Sequence, residues 1–206
     1  MRHPKAVLFA GEKPFPILPA VDHYAGSEKL MKKALQLQKE LGPIFDITFD
    51  CEDGAHAGAE REHAEMAAAL IMSEDNLFNR VGARVHDVTH PHWRQDMEIL
   101  VGIAGSRLPF ITLPKPCSAG DVKVQIEALR EIEQNFGVDR RIPVHVLIET
   151  HGALREVWEI AALPGVEGVF TREQACTKFE LPPDRVGDLV VVSERLTVVG
   201  TSPARH

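Results

Sequence analysis

The residues best able to do chemistry stand at the ends of short apolar runs. Asp50-Cys51-Glu52-Asp53 places three carboxylates within four residues, directly after the run Ile44–Phe49. Carboxylates this close repel one another unless a cation joins them. Their hard oxygens suit Mg²⁺, held directly or through water. The bland alternative is a solvated strand end with Asp53 capping a turn. Glu149 follows a second run, Val144–Ile148, and Thr150-His151-Gly152 adds polar groups and a small residue at the same turn. There the alternative is an acid favoured by a helix N-terminus. Arg84 lies near the end of a third run, and its guanidinium can fork onto a carboxylate or a thioester oxygen. Lys115, in Leu113-Pro114-Lys115-Pro116, ends a fourth and can do similar work. A salt bridge to the acidic cluster, for Arg84, and simple solvation, for Lys115, are the competing roles.

Other reactive side chains are weakly organised. His56 and His63 bracket Glu60, but a zinc site needs further ligands in register. His90-Pro91-His92 has no partner motif, so both sets are expected to be surface or loop histidines. Cys51, Cys117 and Cys176 form no C-x-x-C pair. Carboxylates beside Cys51 would raise its pKa and keep it unreactive. No G-x-S-x-G elbow and no phosphate-binding P-loop occurs.

The elements that must position these residues alternate. Lys5–Ala10 reads as a strand, followed by a loop with Pro14, Pro16 and Pro19. Ser27 is an N-cap before a helix over Glu28–Leu41, which Gly42-Pro43 ends. Ile44–Phe49 is a strand, Glu60–Met72 a helix, Ala83–His86 a strand and Pro91–Ala104 a helix. Pro109–Pro114 is a strand, and Ser118 caps a helix to about Phe136 that Gly137 closes. Ile142–Ile148 is a strand, Gly152–Leu163 a helix, and Val166–Phe170 begins a sixth strand. Repeated β-α units imply parallel strands with right-handed crossovers. An open doubly wound sheet and a (β/α)8 barrel both fit. The missing glycine-rich loop weighs against the first, and chemistry at strand C-terminal ends is what a barrel uses. After residue 168 the grammar changes. Thr171–Phe179 reads as a short helix, Leu181-Pro182-Pro183 as a turn, and Leu189–Val192 with Leu196–Val199 as a hairpin.

Composition narrows the function classes. The 206 residues are 44% hydrophobic and 26% charged, as in an ordinary globular chain. A net charge of −7 argues against nucleic acid or an anionic membrane as partner. No apolar run reaches the roughly 20 residues of a membrane span. Met1-Arg2-His3-Pro4-Lys5 carries no apolar h-region, so no signal peptide is expected, and three scattered cysteines suggest a reducing cytoplasm.

The strand ends together resemble the HpcH/HpaI aldolase and citrate lyase beta-subunit-like family. Asp50-Cys51-Glu52-Asp53-Gly54 is similar to its D-x-E-D-[AG] strand end and Arg84-Val85-His86 to its R-[IV]-N strand, with His86 where the family often has Asn. Leu113-Pro114-Lys115 matches L-P-K, and Ile148-Glu149-Thr150 matches [IV]-E-T. The resemblance covers about residues 4–167 and implies an α/β fold, a partial (β/α)8 TIM barrel of about five β-α units plus a sixth strand. It implies a Mg²⁺-dependent carbon–carbon lyase cleaving a hydroxyacyl-CoA thioester such as malyl- or citramalyl-CoA. Glu149 and Glu52 would then be metal ligands, Arg84, Asp50 and Asp53 catalytic, and Arg84 and Lys115 substrate-binding. The expected partners are a small-molecule substrate and further copies of the chain.

The resemblance has a gap. The family's next strand brings an Asp ligand, where this chain has Thr171-Arg172-Glu173-Gln174-Ala175. That stretch and Phe179–Val191 resemble phosphonoacetate hydrolases, so a seam is expected at Pro164-Gly165-Val166-Glu167. The expected organisation is an incomplete barrel domain over 1–167 and a tail over 168–206. A closed barrel takes about 250 residues. Activity is therefore expected to be impaired by truncation, with a non-catalytic fused fragment as the main rival and a phosphonoacetate hydrolase-related protein behind it.

Overall fold

The computed structural model describes residues 22–164 and the backbone of two further strands, Gly168–Thr171 and Leu189–Val192. Five β-α units follow one another. They are β1 (Asp22–Ala25), α1 (Glu28–Leu41), β2 (Asp46–Asp50), α2 (Glu60–Met72), β3 (Val81–Arg84), α3 (Trp93–Ala104), β4 (Ile111–Leu113), α4 (Ala119–Asn135) and β5 (Val144–Val146). The short helices α5 (His151–Arg155) and α6 (Val157–Ala161) complete the fifth unit. The sheet order is β1-β2-β3-β4-β5, all pairs parallel. Among the described residues the sheet is not closed, and its sequential parallel order is that of part of a (β/α)8 barrel, the architecture the family resemblance implies.

One face of the sheet carries the core. Ile47, Phe49, Val81, Ala83, Ile111, Leu113 and Val144 are essentially inaccessible. They pack with Met31 and Leu35 of α1, Ala67 and Ile71 of α2, Met97 and Leu100 of α3, and Leu129 and Ile132 of α4. Each large apolar side chain so buried contributes about 1.5–3 kcal/mol. Successive strand residues face opposite ways. The register therefore brings Thr48 beside Gly82, and Arg84, Thr112 and His145 into one row. This second face is polar, and it leads to the mouth where the strands end.

Local chemistry explains the helix ends. Ser27 accepts a hydrogen bond from the Leu30 amide. Ser118 and Asp121 form a reciprocal capping box at α4. Gly137, at φ 66°, turns the chain out of α4 as only glycine does without strain.

Three features differ from the sequence reading. The strand feeding α1 is Asp22-His23-Tyr24-Ala25, a polar edge strand with two exposed residues that apolar-run reasoning passes over. Lys5–Ala10 lies outside the described residues. The helix expected over Gly152–Leu163 is broken at Glu156 (φ −102°, ψ 23°), whose carboxylate is used to accept the Ala119 amide. Gly168–Thr171 is a strand (β6), but it pairs antiparallel with Leu189–Val192 (β7) in a separate sheet instead of extending the five. An apolar run specifies a strand without specifying its partner. The partner expected for β7, Leu196–Val199, and the expected helix Thr171–Phe179 beyond Thr171 lie outside the described residues. So do the seam at 165–167 and, apart from the β7 backbone, the stretch resembling phosphonoacetate hydrolases.

Candidate active site

The four strand-end motifs converge. The Asp50↔Arg84 rung closes the β2–β3 ladder. Asp50 Oδ1 accepts from the Glu52 amide (3.0 Å) and Arg84 Nε (2.8 Å), and Oδ2 from the Gly54 amide (2.9 Å) and a terminal nitrogen of Arg84 (2.6 Å). Burial works against the Asp50 charge, but these bonds outweigh it and hold the carboxyl below its usual range. Both oxygens are thus committed to shaping the loop and holding the arginine fork. The other terminal nitrogen of Arg84 lies 3.1 Å from Glu52 Oε2, and the guanidinium sits 5.2 Å over the Tyr24 ring. The side chains of Arg84, Asp50 and Glu52 are only 11%, 5% and 5% exposed.

Lys115 joins the opposite side. Its ammonium lies 2.7 Å from Asp53 Oδ1 and 3.0 Å from Glu52 Oε1. Its own amide donates to Glu149 Oε1 at 2.9 Å. Lys115 has φ 48°, a left-handed conformation that costs a side-chain-bearing residue energy. That turn, between Pro114 and Pro116, lets one residue engage the acidic loop with its side chain and Glu149 with its backbone. Asp53, first among the causes, and Glu52 keep the ammonium pKa raised.

Glu52 stands apart from the other carboxylates. Its oxygens are at ion-pair distance from Arg84 and Lys115, but neither accepts an aligned hydrogen bond. Burial is the main reason its pKa is raised. The Arg84 and Lys115 charges offset the cost of burying this carboxylate, and the poor alignment of both contacts leaves its oxygens able to accept from a further donor or cation.

Close backbone contacts fix the loops. A Cβ on Gly26 would lie 2.2 Å from the Gly54 carbonyl oxygen, so β1 and the acidic loop touch directly there. A Cβ on Gly152 would lie 1.9 Å from the Cys117 carbonyl oxygen. Thr150 caps α5 by accepting the Ala153 amide and donates to the Pro116 carbonyl, which ties the Glu149 turn to the Lys115 turn.

The structure therefore brings Asp50, Glu52, Asp53, Arg84, Lys115 and Glu149 to one mouth. Sequence reasoning missed Tyr24, which sits on an edge strand without an apolar signature. It also missed the bond between His86 Nδ1 and Asp96 Oδ2 (2.6 Å), whose partners lie on different elements. His63, expected as a surface or loop residue, is half-buried and hydrogen-bonded to the Asp50 carbonyl (2.9 Å), so it steadies the acidic loop. Cys51 is fully buried, and burial first, then Asp96 and Asp50, push its thiol pKa up. Among the described residues no set of three or more His, Cys, Asp or Glu side chains is arranged to hold a metal. Glu52 and Glu149, both bound to Lys115, remain as a two-carboxylate donor set. Mg²⁺ is commonly held by one or two carboxylates, with water and substrate oxygens completing it. The unfilled oxygens of Glu52 fit such an ion.

A parallel β-α array with carboxylates and cations paired at the strand C-termini is the class of arrangement that barrel folds use for their sites. The HpcH/HpaI aldolase/citrate lyase family model matches residues 43–175, and the chain belongs to that family. A citrate lyase structure from Burkholderia xenovorans LB400 is 51% identical with a TM-score of 0.70, over 73% of this chain and 47% of that one. The L-malyl-CoA/beta-methylmalyl-CoA lyase of Cereibacter sphaeroides is 30% identical over 119 residues, 56% of this chain. That match spans 36% of the relative, so the chain covers about a third of the curated relative's length. A Haloferax volcanii malate synthase in a magnesium/glyoxylate complex shares the fold at 18% identity, with a TM-score of 0.61 over 74% of this chain and 49% of that one. Among the described residues no helix is long and apolar enough to cross a membrane.

Proposed function

We propose that this chain is a Mg²⁺-dependent carbon–carbon lyase acting on a hydroxyacyl-CoA thioester such as malyl- or citramalyl-CoA. Family membership supports the reaction class, and the unfilled, buried Glu52 carboxylate between Arg84 and Lys115 is the observation that carries it. Glu52 and Glu149 hold the ion. When bound, Mg²⁺ would polarise the carbonyl oxygen on which negative charge develops. Arg84, locked by Asp50, presents a fixed positive charge to that oxygen or to a substrate carboxylate. Lys115, steadied by Asp53, binds a second anionic group. Asp50 and Asp53 serve by holding these two cations in place before substrate arrives, so little reorganisation accompanies the reaction.

The proposal extends to a barrel domain over 1–167, a tail over 168–206, a cytoplasmic setting and self-association. A second reading is a fragment that binds Mg²⁺ and thioester without turnover, favoured by the sheet remaining open at five strands among the described residues. Cleavage of malyl-CoA and citramalyl-CoA, followed with and without Mg²⁺ on the purified chain, separates the two. The lyase reading expects Mg²⁺-dependent cleavage that Glu149→Gln removes. Cleavage indifferent to Glu149→Gln refutes the ligand assignment, and thioester binding without cleavage favours the second reading.

A further inference from the structure

His86 follows Arg84 by two residues at the same strand end, and its surroundings are those of a proton carrier. Beyond their last rungs the β2–β3 ladder continues through the Cys51 amide, which donates to the Arg84 carbonyl (2.9 Å), and the β3–β4 ladder through the Val85 amide, which donates to the Thr112 carbonyl (3.2 Å). Val85 is wholly buried in the core. Strand alternation turns its neighbours, Arg84 and His86, to the other face. Extending the Asp50↔Arg84 register by two sets Glu52 across from His86.

Asp96 of α3 fixes the ring. It is 1% exposed, and its Oδ2 accepts both the His86 amide (3.0 Å) and the ring Nδ1 (2.6 Å). A carboxylate is acceptor-only, so Nδ1 carries the hydrogen and Nε2 keeps its lone pair. Nε2 has no hydrogen-bond partner among the described residues, the His86 side chain keeps 10% of its surface exposed, and its place in the strand register is on the Arg84 face. The His90 ring stacks on the other side with centroids 3.9 Å apart. A salt link that only pinned the β3–α3 loop would need no open nitrogen.

We infer that His86, oriented by Asp96, is the proton-transfer residue of this site. The inference rests on the lyase reading above. Nε2 takes the proton of the substrate's β-hydroxyl. The O–H pair becomes the carbonyl π-bond, the carbon–carbon bond breaks, and its pair passes into the thioester enolate. The imidazolium returns the same proton to the enolate carbon, leaving a carbonyl product, an acyl thioester and neutral His86. Protons balance without an external acid. Asp96 is the positioning residue. Burial opposes the imidazolium, but the Asp96 bond and the charges of Asp96, Glu52 and Glu60 outweigh it and hold the His86 pKa above its ordinary value. The base form therefore appears as pH rises through that elevated value. Asp96 from α3 and His90 from the β3–α3 loop contact the ring, and the charges of Glu52 on the acidic loop and Glu60 on α2 act on it from farther away.

The test uses the full chain with malyl-CoA and Mg²⁺. Two measurements are combined, steady-state kinetics across pH and ¹⁵N-resolved NMR of the His86 ring in unmutated protein. His86→Asn is expected to lower kcat by about 10²–10⁴-fold with KM little changed and to remove the low-pH limb. Asp96→Asn is expected to lower kcat and move the ring hydrogen to Nε2. Wild-type kcat and pH profile in His86→Asn overturn this inference and leave the lyase reading standing. So does an Nε2–H tautomer in the unmutated protein, which needs no variant to fold. Absence of cleavage by wild-type protein overturns the lyase reading and the proton step together.

Discussion

Replacing Arg84 by Met tests whether the charge network, and not hydrophobic burial alone, holds the mouth together. Methionine keeps most of the side-chain volume and removes the guanidinium. Asp50 loses a two-pronged partner and Glu52 loses one of two cations, both in surroundings about 5% exposed. Breaking a buried ion pair by removing one partner costs about 3–5 kcal/mol. Asp50 keeps two backbone amides and Glu52 keeps Lys115, so the expected loss is at the lower end, about 3 kcal/mol. For a chain of this size that corresponds to a fall in Tm of about 6–12 °C. The pH dependence has a definite sign. Because the native pKa of Asp50 is depressed below 3.8, its contribution is full above the unfolded value and is lost as pH falls through the native one. Thermal and urea unfolding at pH 7 and pH 3 should show a large gap between wild type and variant at pH 7 that narrows at pH 3. Asp50→Asn combined with Arg84→Met should cost less than the sum of the single changes. A Tm loss under about 2 °C at pH 7, or a gap unchanged at pH 3, refutes the reasoning.

Other expectations follow from specific contacts. Gly152→Ala drives a Cβ into the Cys117 carbonyl and should cost about 1–3 kcal/mol in urea unfolding; a neutral result would mean the Lys115 and Glu149 turns are not tightly coupled. Ser118→Ala removes the capping box and should cost about 1 kcal/mol, read from the same measurement. Iodoacetamide at pH 8 should label exposed Cys117 readily and spare buried Cys51 until the chain unfolds, as peptide mapping would show.

Much of this arrangement is visible in the sequence because its causes are local. The Glu28–Leu41 and Glu60–Met72 helices carry their own periodicity, and α1 its own Ser27 cap, so their bounds match the structure. The site residues could be picked out because each stands at the C-terminal end of a strand, where parallel β-α units gather polar groups. What escaped depends on distant partners. Asp22–Ala25 is a strand because β2 pairs with it, and its composition alone does not say so. Tyr24 reaches Arg84 only once that pairing exists. Asp96 looks like a surface acid on an amphipathic helix, and its burial against His86 is set by how α3 lies over β3. The direction of β6 was equally hidden, since parallel and antiparallel neighbours have the same apolar run.

The strand order has a consequence for how the chain acquires its structure. Every rung of the five-stranded sheet joins consecutive β-α units, and none skips a neighbour. Each unit can therefore dock once it follows its predecessor out of the ribosome, with a single helix-bearing crossover to close at each step. Assembly of this kind is incremental, like adding staves to a cask. The acidic loop of the second unit meets Arg84 with the third and Lys115 with the fourth. Its charges are neutralised in the order of synthesis, so the site matures alongside the scaffold.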